Sequence, residues 1–484
     1  MADRPHVLLI TADHWPGALL GAAGHPAIQT PTLDRLAACG TRFTNAYSEC
    51  PVCIPARRTL LTGTTPRTHG DRVFDPEMVM PPFPTMADVF HQAGYQAIAV
   101  GKLHVYPPRA RAGFDEVILS EEGRPQMGPT DDYEIYLGDQ GLAGRQFLHG
   151  MSNNDYVCRP WHLAEEHHVT NWTTRQMARM IQRRDPTRPG FWYLSYTHPH
   201  PPLVPPQVYW DRYQTVAPEA PYHGTWDCDE KTMPGRMNSR LVPSGTYDAE
   251  MIRTAQRAFY ALCTHIDHQI RIVLGTLREE GILDDTVIMF LADHGDMLGN
   301  HGLWAKRLYY EDSACVPMLL VGAQGDGRVS VDCVDDRLVA LQDVMPTLLH
   351  LADIKIPSTV DGLSMVGAEK RARLYGEYGE LAEATRMLHN GRFKLIYYAY
   401  GNRLQLFDLQ SDPQELHDLV ESEEHQQVLR ELTGQLLAEL YGNDQEWVGE
   451  TGLVGLPLSE ASEIPDRSLS LQRGSHWPIP PQSK

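Results

Sequence analysis

Four short apolar runs, each ending in acidic, imidazole or ammonium side chains, constrain this chain more than any other feature. His6–Thr11 leads into Asp13-His14, and Gln96–Val100 into Gly101-Lys102-Leu103-His104. Phe191–Thr197 leads into His198-Pro199-His200-Pro201-Pro202, and Val287–Ala292 into Asp293-His294-Gly295-Asp296. Their length and their β-branched and aromatic content predict buried strands. Helical patterns fall between them, over Thr32–Ala38, Thr85–Ala93, Thr173–Arg183 and Ala249–Glu280. Thr32 has the character of an N-cap, and Gly40 and Gly94 of C-terminal stops. Alternating buried strands and helices predict an α/β fold: a large, mainly parallel sheet flanked by helices on both faces. In open sheets of this kind ligands bind beyond the carboxyl ends of the strands. One such loop is ordinary, since Asp and His are common in loops. Four at one edge predict a polar active site.

A cysteine joins them. In Cys50-Pro51-Val52-Cys53-Ile54-Pro55-Ala56-Arg57, Pro55 suits the first turn of a helix that Gly63 ends. Cys53 then sits at or just before the helix N-terminus, where free backbone N–H groups and the helix dipole favour an anion. Arg57, about one turn along, can reach back to the same anion. The Cys50–Cys53 spacing also fits a redox pair or half a zinc site, but no second Cys pair or His-x-x-x-His completes the latter. A buried packing cysteine is the plain alternative.

Composition narrows the partners. With 484 residues the chain can bury a large core, in roughly two to four domains. A formal charge of −20 argues against nucleic acid and against anionic membranes, both of which select basic surfaces. It also means that an anion site must build its own local positive field. No run approaches the roughly 18 apolar residues of a membrane span. Val7–Ile10 is too short for the core of a signal peptide, so a cytoplasmic protein is expected. Eight cysteines in so long a chain make no dense disulfide framework.

Cys53-Ile54-Pro55-Ala56-Arg57, followed by Leu60-Leu61-Thr62-Gly63, resembles the Cys-x-Pro-x-Arg signature of the type I sulfatases, formylglycine-dependent members of the alkaline phosphatase superfamily. The resemblance spans most of the chain. Thr30-Pro31-Thr32-Leu33-Asp34-Arg35-Leu36 is similar to the family's N-terminal helix start, Gly101-Lys102-Leu103-His104 to its Gly-Lys-x-His, and Pro199-His200-Pro201-Pro202 to its Pro-His-x-Pro. Leu291-Ala292-Asp293-His294-Gly295 with Gly302-Leu303-Trp304-Ala305-Lys306 is similar to the second metal loop and its lysine. The stretch from Asn390-Gly391-Arg392-Phe393-Lys394 to Asp412-Pro413 resembles the small C-terminal domain. The chain departs from many members at Ala56, where serine is frequent, at His14, where a second Asp is frequent, and at His294, where several animal enzymes have asparagine. An Asp-His second loop is typical of bacterial sulfatases, choline sulfatases and phosphonate monoester hydrolases.

The resemblance implies a catalytic domain over 1–365 and a small α+β subdomain over 366–448; beyond them the sequence leaves an extended tail, 449–484. The resemblance also implies that Cys53 is oxidised to formylglycine by a formylglycine-generating enzyme. The hydrated aldehyde would attack sulfur or phosphorus through one hydroxyl and release the anion as the second loses its proton. A plain thiol would form a stable product with no easy release. Asp13, Asp293, His294 and the position-53 oxygen would hold one divalent metal. Carboxylates suit calcium or magnesium and an imidazole shifts the preference towards manganese or zinc, so manganese or calcium is expected. His14 either adds a ligand or lines the rim. Arg57 would hold the nucleophile and the oxygens near the metal, and Lys102 and Lys306 would offset developing charge. His104 is the candidate base and His200 the candidate acid at the leaving group, preferred over His198 for its place in the motif. The implied reaction is hydrolysis of an aryl or small alkyl sulfate ester. A phosphonate monoester or phosphodiester hydrolase would use the same site, and a non-catalytic relative would leave Cys53 unmodified.

The alcohol carried by the ester would be read by rim residues in the excursions Leu119–Val157 and Pro201–Tyr247. Pro199–Tyr247, rich in Pro, Trp, Tyr and His, is long for a connection and is either a surface excursion or a substrate-facing lid. The tail from Gly449 lacks helical or strand period; with Trp477 and Ile479 it favours an arm laid on a neighbouring copy, hence a homo-oligomer.

Overall fold

The computed structural model describes residues 4–123, 130–151, 156, 158–226 and 248–457. Strands β1 (His6–Asp13), β2 (Thr41–Tyr47), β3 (Gln96–Gly101), β4 (Glu116–Leu119), β5 (Gly190–Pro199), β6 (Thr286–Ala292), β7 (Met318–Val321) and β8 (Cys333–Ala340) form one sheet. Their spatial order is β4-β3-β5-β1-β6-β7-β2-β8. All neighbours are parallel except β7, which runs antiparallel to both β6 and β2. The four expected strands are therefore contiguous at the centre, as β3-β5-β1-β6, and their carboxyl ends share one edge. Every residue of β5 and β6 is buried, the signature of a strand covered on both faces.

The covering helices are α1 (Pro31–Cys39), α2 (Cys53–Thr62), α3 (Met86–Gln92), α4 (Val169–Gln182) and α5 (Ala249–Glu279). Two starts differ from expectation. Thr32 is not the N-cap of α1, which is Thr30, with Pro31 as the first helical residue. The orphan N–H groups of Thr32 and Leu33 bond instead to the Asp267 carboxylate of α5, at 3.1 and 2.8 Å. α4 begins four residues before Thr173, because the His168 ring accepts the Thr170 N–H at 3.2 Å and serves as the cap.

A second, antiparallel sheet orders β12-β11-β10-β9, from β9 (Leu374–Tyr378), β10 (Thr385–His389), β11 (Phe393–Tyr398) and β12 (Arg403–Asp408). One face packs Leu388, Leu395 and Leu406 under Leu432 and Leu436 of α6 (Gln426–Glu439). The other face packs Met387, Ile396 and Tyr398 against Tyr47, Cys50, Val52 and Tyr309 of the main body. The small sheet thus buttresses the segment that leads into Cys53. The first residues of the expected tail are not without structure: Val448–Gly449 pairs with Gly452–Leu453, and Leu456 bonds to Ala399 at 2.7 Å. Trp477, Ile479 and the rest of that tail lie outside the described residues, as does 227–247 of the expected lid. All seven described cysteines are free thiols, and Cys50 bonds to the Arg72 carbonyl, so the Cys50–Cys53 spacing is not a disulfide. No helix among the described residues is long and apolar enough to cross a membrane.

Candidate active site

Each central strand ends in a bend that turns a side chain inward. β1 slips register between Thr11 and Asp13, and His14 follows in the left-handed region at φ 69°. Gly101 closes β3 at φ 107°, where a Cβ would collide with the Ser195 carbonyl; only glycine lets the chain turn towards Lys102 there. α2 begins at Cys53 itself, and every residue of the helix is buried. The Cys53 Sγ lies 3.2 Å from His294 Nε2 and 3.6 Å from Asp13 Oδ1.

Arg57 reaches back along α2, as its spacing predicts, but onto the carboxylates that frame the thiol. Its Nε donates to Asp293 Oδ2 at 2.9 Å, and Nη2 lies 3.9 Å from Asp13 Oδ2. Its Nη1 donates to the Lys102 carbonyl at 3.0 Å and to Ser195 Oγ at 2.8 Å, tying α2 to the ends of β3 and β5.

Asp13, His14, Cys53 and His294 each offer a ligand atom within 4.8 Å of one another, all buried. Asp293 Oδ1 stands 3.8 Å from His294 Nε2. The His294 Nδ1 bonds to the Gly295 carbonyl at 2.9 Å, which leaves the Nε2 lone pair facing the group. Carboxylate oxygens and an imidazole nitrogen around the position-53 atom fit a single divalent cation. Burial pushes Asp13 up, but the charges of Lys102 and Arg57 outweigh it and hold its carboxyl well below the usual range. Asp293, for which burial and Asp13 prevail over Arg57, is pushed up to about 6. Burial and Asp13 also push the Cys53 thiol up; Lys306, Lys102 and His294 prevail and hold it well below its ordinary value.

The lysines flank this group. Lys102 Nζ contacts Asp13 Oδ2 and, at 2.8 Å, Glu122 Oε1. Lys306 Nζ contacts His14 Nε2 and lies 3.2 Å from His200 Nε2. His200 Nδ1 bonds to the Pro201 carbonyl at 2.7 Å, so its Nε2 accepts from Lys306. Burial above all lowers His200 to about 3, leaving the ring uncharged. His198 turns away: its Nδ1 bonds to the His200 carbonyl and its ring packs on His168. His104 stands one step from the lysines, its Nε2 3.4 Å from Glu121 Oε2 and 3.7 Å from Glu122 Oε2.

Three acidic side chains complete the site: Glu121 and Glu122, which the sequence did not single out, and Asp296, which it offered only as the end of the Asp293–Asp296 loop. Glu121 Oε1 accepts the backbone N–H groups of Leu103 and His104, at 3.0 and 2.9 Å, and fixes the left-handed His104. Glu122 lies between Lys102, His104 and His200. Asp296 takes His14 Nδ1 at 2.9 Å and the Leu298 and Ala305 N–H groups at 3.0 and 3.1 Å. The signal for the first two was a Glu-Glu pair just after a strand, which also fits a solvated turn.

The sulfatase family model matches residues 5–354. A second, described as N-sulphoglucosamine sulphohydrolase, C-terminal, matches residues 299–441. An arylsulfatase of Clostridium perfringens (strain 13 / Type A) is 33% identical over 480 residues, covering 95% of this chain and 100% of the relative. A choline-sulfatase of Rhizobium meliloti (strain 1021) is 30% identical over 445 residues, covering 87% of this chain and 83% of the relative. A phosphonate monoester hydrolase of Agrobacterium radiobacter shares the fold at a TM-score of 0.79 and 21% identity, covering 94% of this chain and 100% of that one. The chain belongs to the sulfatase family of sulfuric ester hydrolases, within the alkaline phosphatase superfamily.

Proposed function

We propose that the chain hydrolyses an aryl or small alkyl sulfate ester, with position 53, oxidised from cysteine to formylglycine, as the nucleophile. One observation carries this: the Cys53 side chain at the start of α2 faces Asp13 and His294, in a buried cluster that also holds Asp293, Lys102 and Lys306. A divalent cation, manganese or calcium, would be held by Asp13, Asp293, His294 and the position-53 side chain, and would supply charge neutralisation and Lewis acidity. Formylglycine would supply a hydroxyl nucleophile with a second hydroxyl to drive release.

The chain's own groups do the rest. Arg57 keeps Asp293 and Asp13 in place rather than gripping the ester directly. Lys102 and Lys306 stabilise negative charge on the ester oxygens, in a site from which water is largely excluded. Because His200 is uncharged and its Nε2 accepts from Lys306, the proton for the leaving oxygen comes from Lys306 Nζ, and His200 orients that ammonium. His104 takes the proton whose loss frees the product, and Glu121 fixes its backbone.

The test pairs the mass of the tryptic peptide holding Cys53 with turnover of matched aryl sulfate and phosphonate monoester substrates. A loss of about 18 Da, with sulfate turnover that vanishes in Cys53→Ala, supports the function. An intact thiol with full activity sinks the formylglycine chemistry. Faster phosphonate turnover moves the function to phosphonate monoester hydrolysis at the same site.

A further inference from the structure

Glu122 is a carboxylate in the wall of a site that must attract an anion. It is 6% exposed, and its backbone is left-handed at φ 62°. Its Oε1 lies 2.8 Å from Lys102 Nζ and 3.5 Å from His200 Nδ1, and its Oε2 lies 3.7 Å from His104 Nε2. Asp13, Glu122 and His200 bring one ligand atom each within 4.8 Å of one another. The Lys102 ammonium contacts both carboxylates of that trio, as a small cation would. The lysine closest to Asp13 is thus charge-balanced on its far side.

We propose that Glu122 sets the charge preference of the site, offsetting Lys102 so that monoanionic esters are accepted and dianionic phosphate monoesters are disfavoured. This rests on the hydrolytic function proposed for the same site. A sulfate ester carries one negative charge, as does a phosphonate monoester or a phosphodiester; a phosphate monoester at pH 8 carries two. All are tetrahedral and similar in size, so shape alone does not separate them. The second charge of the phosphate would face Glu122 across Lys102. At a separation of about 6–8 Å and an effective dielectric near 20, one such repulsion corresponds to roughly 10- to 100-fold in relative rate or affinity. The same carboxylate also acts on product: hydrolysis turns a monoanionic ester into the sulfate dianion, which Glu122 helps to expel.

The experiment compares wild type, Glu122→Gln and Glu122→Asp on 4-nitrophenyl sulfate, 4-nitrophenyl phosphate and 4-nitrophenyl phenylphosphonate at pH 8. In Glu122→Gln the phosphate-to-sulfate ratio of kcat/KM should rise about 10- to 100-fold, while the phosphonate-to-sulfate ratio, both monoanions, stays within about 3-fold. Glu122→Asp, which keeps the charge, should keep the wild-type ratios. Equal loss on all three substrates, or unchanged ratios, would overturn the proposal and leave Glu122 a positioning residue. As a readout independent of turnover, inorganic phosphate at pH 8.5 should bind Glu122→Gln about 10-fold or more tighter than wild type; equal affinity overturns the proposal. If Glu122→Gln does not fold, Glu122→Ala takes its place in both assays. Formylglycine-bearing wild type that turns over no sulfate ester would instead overturn the parent function, leaving the binding comparison to decide on Glu122.

Discussion

Replacing Arg57 with methionine should cost this protein more stability than its position near a catalytic centre would suggest. The guanidinium is 1% exposed and bonds Asp293 at 2.9 Å, the Lys102 carbonyl at 3.0 Å and Ser195 at 2.8 Å. Methionine fills much of the volume but leaves Asp293 buried beside Asp13 with its strongest favourable partner gone. Removing one member of a buried pair costs about 3–5 kcal/mol. The two abandoned acceptors add about 1 kcal/mol each, part of which repacking recovers. The sum is about 4–6 kcal/mol, which should lower the thermal midpoint of chelator-treated protein by roughly 4–6 °C. Thermal and urea unfolding of wild type and Arg57→Met, both in chelator, would measure it. Adding Asp293→Asn should return about half of the loss by removing the orphaned charge, while activity stays absent. A single variant within about 1 °C of wild type, or a double variant no more stable than the single one, would refute the view that Arg57 holds a buried carboxylate.

Two further outcomes follow from geometry. His200→Ala should lower kcat/KM for an aryl sulfate by about 10²–10⁴-fold, and His198→Ala by less than about 10-fold, because only His200 meets Lys306; equal losses would contradict the assignment. Burial pushes Glu49 from 4.5 up to about 7, so the folded chain holds that proton more tightly than the unfolded one. Its contribution is complete below about pH 4.5 and is lost as pH rises through 7. Glu49→Gln should therefore flatten the fall in stability over that window, by up to about 3 kcal/mol in denaturant titrations at stepped pH; an unaltered slope would exclude Glu49 as its source.

The centre of the fold was legible because its strands are buried on both faces and read as unbroken apolar runs. β8 was not, since its first half alternates exposed Val334 and Asp336 with half-buried neighbours and lies at the sheet edge. β7 has only Met318–Val321, too short to carry a pattern. Thr32 misled because the cap it suggests is supplied from Asp267, some 235 residues away. At the site, four strand ends and the Cys53 helix start stood out because acidic, imidazole and ammonium side chains there interrupt apolar sequence. Glu121 and Glu122 follow Ser120 in a polar stretch, where only tertiary placement distinguishes a buried carboxylate from a solvated one. His104 shows the same limit from the other side: its motif was visible, but its backbone clamp comes from the end of β4.

Cys53 is 2% exposed, and the His294 ring against its sulfur lies 241 residues further along the chain. On the proposed chemistry, an enzyme must hold that sulfur in its own cleft to oxidise it, and the finished sheet leaves no room for one. The modification therefore has a deadline. At about 5–20 residues per second of synthesis, the interval between Cys53 leaving the ribosome and β6 arriving to close over it is roughly 12–50 s. On that chemistry, expression rate as well as the supply of the oxidising enzyme sets what fraction of chains is modified before the site closes.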